Sequence, residues 1–328
     1  MARVRLADVA RDAGVSIGAA SDALSGKNQI PETTRQRVRD AAARLGYVPN
    51  PVARAMRMGH LPLIGLVIGS LRRPDEYTPH RAYWGELIGA ATLAAADRGY
   101  GIVVLPGLAD SPFDASALAA VAVISSAPDQ PDLDLALGLG VPVLSDSDTA
   151  HRSAIHAEVP YTDTVVAALT HLAERGSTRP ALLCADLGTY FSIAVIDAYL
   201  DWCRQHDNEP VVLDSTPGAE QLARSIEEAL DAGIDGVFTV DGFASLLLDA
   251  AERRGAVVGR DLLVVELDDD TDGGCTQRRT TNIALDLADF VGAAMRRLID
   301  AALAPTSIHA PMRCGFVLNP RTSTTGTT

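Results

Sequence analysis

Residues 6–50 read LADVARDAGVSIGAASDALSGKNQIPETTRQRVRDAAARLGYVPN, and this stretch decides how the rest of the chain is read. Leu6, Val9, Ala10 and Ala13 recur at helical spacing, and Gly14 follows where a left-handed cap is easiest. Val15 then supplies the apolar pin of a tight turn, and Ser16 is a good N-cap for IGAASDAL. Two short helices joined by a turn that opens on glycine predict a helix-turn-helix. A third helix is expected from Glu32 to Leu45, burying Val38, Ala41, Ala42 and Leu45 and ending at Gly46. Spacing alone also accommodates a three-helix bundle with no role on DNA.

Charge separates this stretch from the rest of the chain. The 328 residues carry a net −14, which by itself argues against a nucleic-acid partner. Residues 1–60, however, hold ten Lys/Arg against five acids, a net +5, and the other 268 residues hold eighteen against thirty-seven, a net −19. A basic module on an acidic body is the pattern of a nucleic-acid-binding end. The 47% hydrophobic content excludes a disordered acidic protein, and no run of about 18 uncharged apolar residues suggests a membrane span. Cys184, Cys203, Cys275 and Cys314 are far apart, without metal-ligand spacing, and are expected to be buried free thiols. Met1–Ala10 alternates in charge rather than forming a signal peptide, so the expected location is cytoplasmic.

Asp8-Val9-Ala10, Ala13-Gly14-Val15-Ser16, Ser21, Leu24, Thr34-Arg35, Val38, Gly46-Tyr47-Val48-Pro49-Asn50 and Ala53-Arg54 together resemble the DNA-binding headpiece of the lactose/galactose repressor (LacI/GalR) family. The resemblance implies that the second helix lies in the major groove, presenting Ser16, Ile17, Gly18, Ser21 and Asp22, with Leu6, Thr34, Arg35 and Tyr47 as further DNA contacts. Serines can bond phosphates or bases, Ile17 can meet a thymine methyl, and Gly18 reads nothing. Asp22 departs from the family's usual Arg, and Ala19-Ala20 from its Thr-Val, which implies a different operator.

The family also implies that Asn50–Arg57 is a hinge helix formed only on DNA, since about eight residues are too few for a stable helix in water. There Ala53 permits close approach, Arg54 and Arg57 neutralise phosphates, and Met56 replaces the family's Leu as the wedge at the central base step. Read without the resemblance, the segment is an ordinary linker.

From Leu63 onward LIGLVIGS, GIVVL, VAVIS, VPVLS, PALLC, PVVLD, GVFTV and LLVVEL alternate with helical stretches such as DTVVAALTHLAERG and AEQLARSIEEALDAG. Strands separated by helices predict parallel sheets. Neither dinucleotide nor nucleotide fingerprint occurs. The order, with Leu318-Asn319-Pro320-Arg321-Thr322-Ser323, resembles the family's periplasmic-binding-protein-like core of two doubly wound α/β subdomains. The implied division is an all-α helix-turn-helix headpiece at 1–49, a hinge and linker at 50–62, and a core at 63–328. Within the core, subdomain one takes about 63–158 and 286–316, and subdomain two about 159–285 and 317–328. The region Ala109–Val121 looks short for a full crossover helix.

Asp146, Asp148, Asp241 and Asp268–Asp270 fall near expected strand ends, where α/β folds bind ligands. Acid pairs could serve glycoside hydrolysis, but no nucleophile motif or metal spacing accompanies them, and no enzyme is expected. The resemblance assigns effector positions to Tyr83, Trp84, Ser145, Tyr161, Tyr190, Phe191, Val195, Asp241, Phe243 and Asp268. Val240 replaces the Asn of the family's Asn-Asp motif, Glu266-Leu267 precede Asp268, Pro160-Tyr161 stand for Asp-Asn, and Val195 stands where an Arg clamps the effector. Loss of these polar groups weighs against a strongly hydrogen-bonded sugar. The expectation is therefore a homodimeric regulator, a repressor of a near-palindromic operator. Its effector is a sugar, nucleoside or less polar metabolite, with no cofactor or metal. The competing readings are a cleft that has lost its effector, and a ligand-binding or enzymatic protein whose headpiece no longer binds DNA.

Overall fold

The computed structural model describes residues 4–25, 30–47, 60–69, 81–109, 111, 113–124, 131–146, 153–216, 219–240, 242–268, 279–304 and 310–326. The chain divides into two compact units, residues 1–62 and 63–328.

In the first unit, helices α1 (Leu6–Ala13), α2 (Ile17–Ser25) and α3 (Glu32–Leu45) match the apolar spacing of the sequence. Gly14 and Gly46 take left-handed conformations, φ 65° and 64°, and their amides close the preceding helices. The Ser16 hydroxyl accepts from the Ala19 amide at 3.1 Å, capping the start of α2. Val9, Ala10, Ala13, Ala20, Ala23, Val38, Ala41 and Ala42 form the core, and Arg44 ties α3 to Asp12 of α1 at 2.6 Å. Small residues in this core let three short helices approach closely.

The second unit holds two six-stranded sheets. The first contains β1 (Leu63–Ile68), β2 (Gly101–Leu105), β3 (Ala120–Ile124), β4 (Val143–Ser145), β5 (Ile155–Glu158) and β11 (Met312–Arg313), in the order β11-β5-β4-β3-β1-β2, with parallel pairing throughout. Helices α4 (Arg81–Asp97), α5 (Asp132–Gly138) and α10 (Leu287–Leu303) cover it. Between β2 and β3 the described residues contain only a 3-10 turn, Ala115–Ala117, in the region that reads as short.

The second sheet contains β6 (Pro180–Cys184), β7 (Val212–Asp214), β8 (Gly236–Thr239), β9 (Leu263–Leu267), β10 (Thr281–Leu285) and β12 (Phe316–Asn319), in the order β12-β10-β9-β8-β6-β7. Helices α6 (Tyr161–Glu174), α7 (Tyr190–Gln205), α8 (Ala219–Asp231) and α9 (Ala244–Arg253) accompany it, and the short α11 (Thr322–Thr325) comes after β12. The sequence pattern predicts parallel strands only, yet β12 runs antiparallel to β10 as an edge strand, a common addition to parallel sheets.

The chain passes between the sheets three times: from β5 to α6, from β10 to α10, and from β11 to β12. After the last passage α11 is anchored by buried polar contacts. Ser323 Oγ donates to the Val264 carbonyl at 2.6 Å and accepts from the Thr281 amide at 2.8 Å, and Thr324 Oγ1 lies 2.8 Å from His171 Nε2. Burial holds the His171 imidazole below its ordinary pKa. The described cysteines Cys184, Cys203 and Cys314 are buried thiols outside any disulfide.

Candidate functional site

The headpiece presents the start of α2 to solvent. Ile17 is 56% exposed although it is a large aliphatic residue, and Ser16 and Gly18 beside it are also exposed. Ser21 and Asp22, one turn along, are half-buried. Leu6 and Tyr47 lean on the three-helix core, so any DNA contact they make comes from the edge of that core. Arg35 does not extend into solvent: its guanidinium bonds Glu32 at 2.7 Å, reaches the Ile30 carbonyl at 3.5 Å, and its side chain is 16% exposed. It braces the entry to α3, next to the half-buried Thr34. Asn50, Ala53, Arg54, Met56 and Arg57 lie outside the described residues.

In the second unit, elements from both sheets bring aromatic side chains together. Tyr83 and Trp84 come from the first turn of α4 and meet edge to face with centroids 4.9 Å apart. Tyr161 begins α6 and packs edge to face on Phe191 at 4.7 Å. The Tyr83 and Tyr161 hydroxyls share a hydrogen bond of 3.2 Å, so the two pairs form one continuous wall from α4 to α7. Burial, then Tyr83 and then Asp146, hold the Tyr161 phenol well above its ordinary pKa, so it is neutral. Phe191, beside the half-buried Tyr190, is fixed by the capping box that opens α7: Thr189 Oγ1 accepts from the Ser192 amide at 3.3 Å, and Ser192 Oγ accepts from the Thr189 amide at 3.1 Å.

Carboxylates gather near this wall. Ser145, fully buried, ends β4, and Asp146 comes directly after it. Asp268 comes directly after β9, with its amide donating to the Ile283 carbonyl at 3.0 Å and its own carbonyl accepting from Asn282 Nδ2 at 2.8 Å. Glu86, one turn beyond Tyr83, has its carboxyl raised by burial and by Asp268. Glu266 is 5% exposed and pushed up to about 7 by burial and by Asp268, although it accepts a bond from the Ala244 amide at the start of α9. A carboxylate from the first sheet's layer thus faces one from the second.

A cavity of about 50 Å³ adjoins the wall. Tyr83 and Asp146 line it together with Leu66, Leu144, Phe290 and Met295.

Two assigned positions are corrected. Val195 has no exposed surface and sits within the core that includes Leu169, Trp202 and Phe238, because α7 turns that side onto the sheet. Phe243 is buried in the core that includes Leu222 and Leu247, at the entry to α9. Neither is open to a ligand. Asp148, Asp241, Asp269 and Asp270 lie outside the described residues. Glu266 and Asn282 were not among the expected contacts; the sequence signal for the first is an acid inside the apolar run LLVVEL.

The chain matches the family described as bacterial regulatory proteins, lacI family, over residues 5–50, and the periplasmic binding protein-like domain over residues 169–324. It is 26% identical to the HTH-type transcriptional regulator PtxS of Pseudomonas putida over 283 residues, covering 81% of this chain and 80% of that one. It is also 26% identical to the ribose operon repressor of Bacillus subtilis over 318 residues, covering 93% and 95%. Among solved structures, the lac repressor dimer bound to operator and the anti-inducer ONPF superposes with a TM-score of 0.69 at 21% identity, covering 98% of this chain and 99% of that one. A complex of the transcriptional regulator CelR with cellobiose superposes with a TM-score of 0.64 at 20% identity, covering 98% and 100%. At such identities the structural likeness speaks for the fold.

Proposed function

Because the chain joins a lacI-family DNA-binding region to a periplasmic-binding-protein-like domain and so belongs to the LacI family of transcriptional regulators, we propose that it is a cytoplasmic repressor that binds a near-palindromic operator as a homodimer. The observation that carries this reading is the exposed start of α2, where Ile17 stands out from a closed core of small residues on the basic end of an acidic chain. A large aliphatic side chain held in solvent at the N-terminus of the second helix suits a major-groove contact. Asn50–Arg57 would form the hinge in the minor groove, with Met56 as the wedge.

The aromatic wall, the facing carboxylates and the adjoining cavity favour a retained effector over a lost one. An effector bridging the two sheets would shift their relative position, and coupling to DNA arises when the two arrangements differ in operator affinity. The test is a mobility shift on genomic fragments across a salt series. Specific retention that weakens steeply with salt supports the reading. Retention that is absent, or independent of salt, removes it and leaves a ligand-binding protein with an inert headpiece.

A further inference from the structure

The strand register places Thr239 and Glu266, at the C-terminal ends of β8 and β9 where such sheets bind ligands, beside Asn282 near the start of β10. All three are buried. Asn282 is 3% exposed, and since its Nδ2 donates to the Asp268 carbonyl, its orientation is set. Its Oδ1 is then a buried acceptor with no donor among the described residues. Glu266 beside it receives one backbone amide, and Glu86 opposite is raised by the same Asp268; among the described residues neither Glu86 nor Glu266 forms an ion pair. Glu86, Glu266 and the Asn282 oxygen therefore bring together more acceptors than the described donors around them satisfy.

We propose that the ligand of this cleft is an organic cation, its ammonium head seated among Glu266, Asp268 and Asn282 Oδ1 and faced by Glu86, its apolar limb directed to the pocket beside Tyr83. A primary ammonium brings three N–H donors, which suits two carboxylates and an amide oxygen. Tyr83, which lines the pocket, and Glu86 lie three residues apart on α4, a spacing that puts their Cβ atoms roughly 5–6 Å apart on one helix face. The Tyr83–Trp84 and Tyr161–Phe191 pairs add aromatic surfaces that attract a cation. The small apolar volume fits a short branched alkyl group better than a ring bearing hydroxyls, which would leave polar groups unpaired.

This inference rests on the cleft being an effector site. Calorimetric titration of the full chain at pH 8, without DNA, would compare isoamylamine, isoamyl alcohol, isocaproate and glucose. The amine should bind roughly tenfold or more tighter than the isosteric alcohol, and isocaproate should not bind. Glu86→Gln and Asp268→Asn should each erase most of that preference, weakening the amine by more than they change the alcohol. Equal or tighter binding of the alcohol, isocaproate or glucose overturns the cation and leaves the effector site standing. Silence from all four overturns both, and the mobility shift on genomic fragments then judges DNA binding separately.

Discussion

Glu266 is an acid placed where acids are costly. Its folded pKa of about 7 lies above the ordinary 4.5, so between those values the folded chain holds a proton that the unfolded chain has released. Stability contributed by this group is therefore lost as pH rises from 4.5 to 7, and above 7 the full penalty of about 3 kcal/mol remains. Glu266→Gln keeps an acceptor for the Ala244 amide and should raise the melting temperature at pH 8 but hardly at pH 4.5; equal gains at both would contradict this origin. Asp22 tests recognition at the same scale. Asp22→Ala should change the preferred base at one operator position per half-site, as read by selection from random duplexes, with overall affinity rising as an acid leaves the phosphate field. An unchanged preference at every position would remove Asp22 from direct readout.

At the scale of elements, α3 was legible because the spacing of Val38, Ala41, Ala42 and Leu45 and the Gly46 stop agree on Glu32–Leu45. The two residues of β11 and the antiparallel β12 were not, since a Met-Arg pair carries no period and edge pairing depends on a neighbour distant in sequence. Similarly, the aromatic wall could be anticipated from Tyr83, Trp84, Tyr161 and Phe191, but Asn282 enters the site only through its register with Glu266. Val195 misled because position along a helix does not state which side faces the sheet, and Phe243 because nothing local to the residue before α9 shows that it packs into the core. Docking of α11 also has an observable cost. Gly259 has φ 88°, and a Cβ there would run into the Thr322 carbonyl oxygen. Gly259→Ala should destabilise the body by about 1–3 kcal/mol in denaturant melts, whereas Gly176→Ala, also at positive φ but with open space around it, should cost less. In the proposed hinge, Met56→Asp should abolish operator-specific retention while circular dichroism stays unchanged; retained specificity would remove the wedge.

Across the whole molecule, the net charge of −14 hides a +5 end and a −19 body, and the acidic part should discourage DNA from docking on the core. The division into residues 1–62 and 63–328 also predicts how heat acts. Because three passages of chain join the two sheets and α10 crosses to the first sheet after β10 has completed part of the second, the body should melt in one calorimetric transition, distinct from that of the headpiece. Separate transitions for the two sheets would contradict that interdependence.

The late strands have a consequence for how the protein is made. Residues 312–319 supply one edge of each sheet, and residues 322–325 seal the second, so all of them leave the ribosome after the segments they complete. Neither half of the body can close before these residues are made, and its apolar strands must wait with an open edge for the last of their partners. The headpiece core is closed by residues 6–47 and can be finished while the rest is still being synthesised. A nascent chain would then hold a formed DNA-reading module before it has any means of responding to a ligand, which makes the integrity of residues 312–325 a condition for regulated, and not merely constitutive, occupancy.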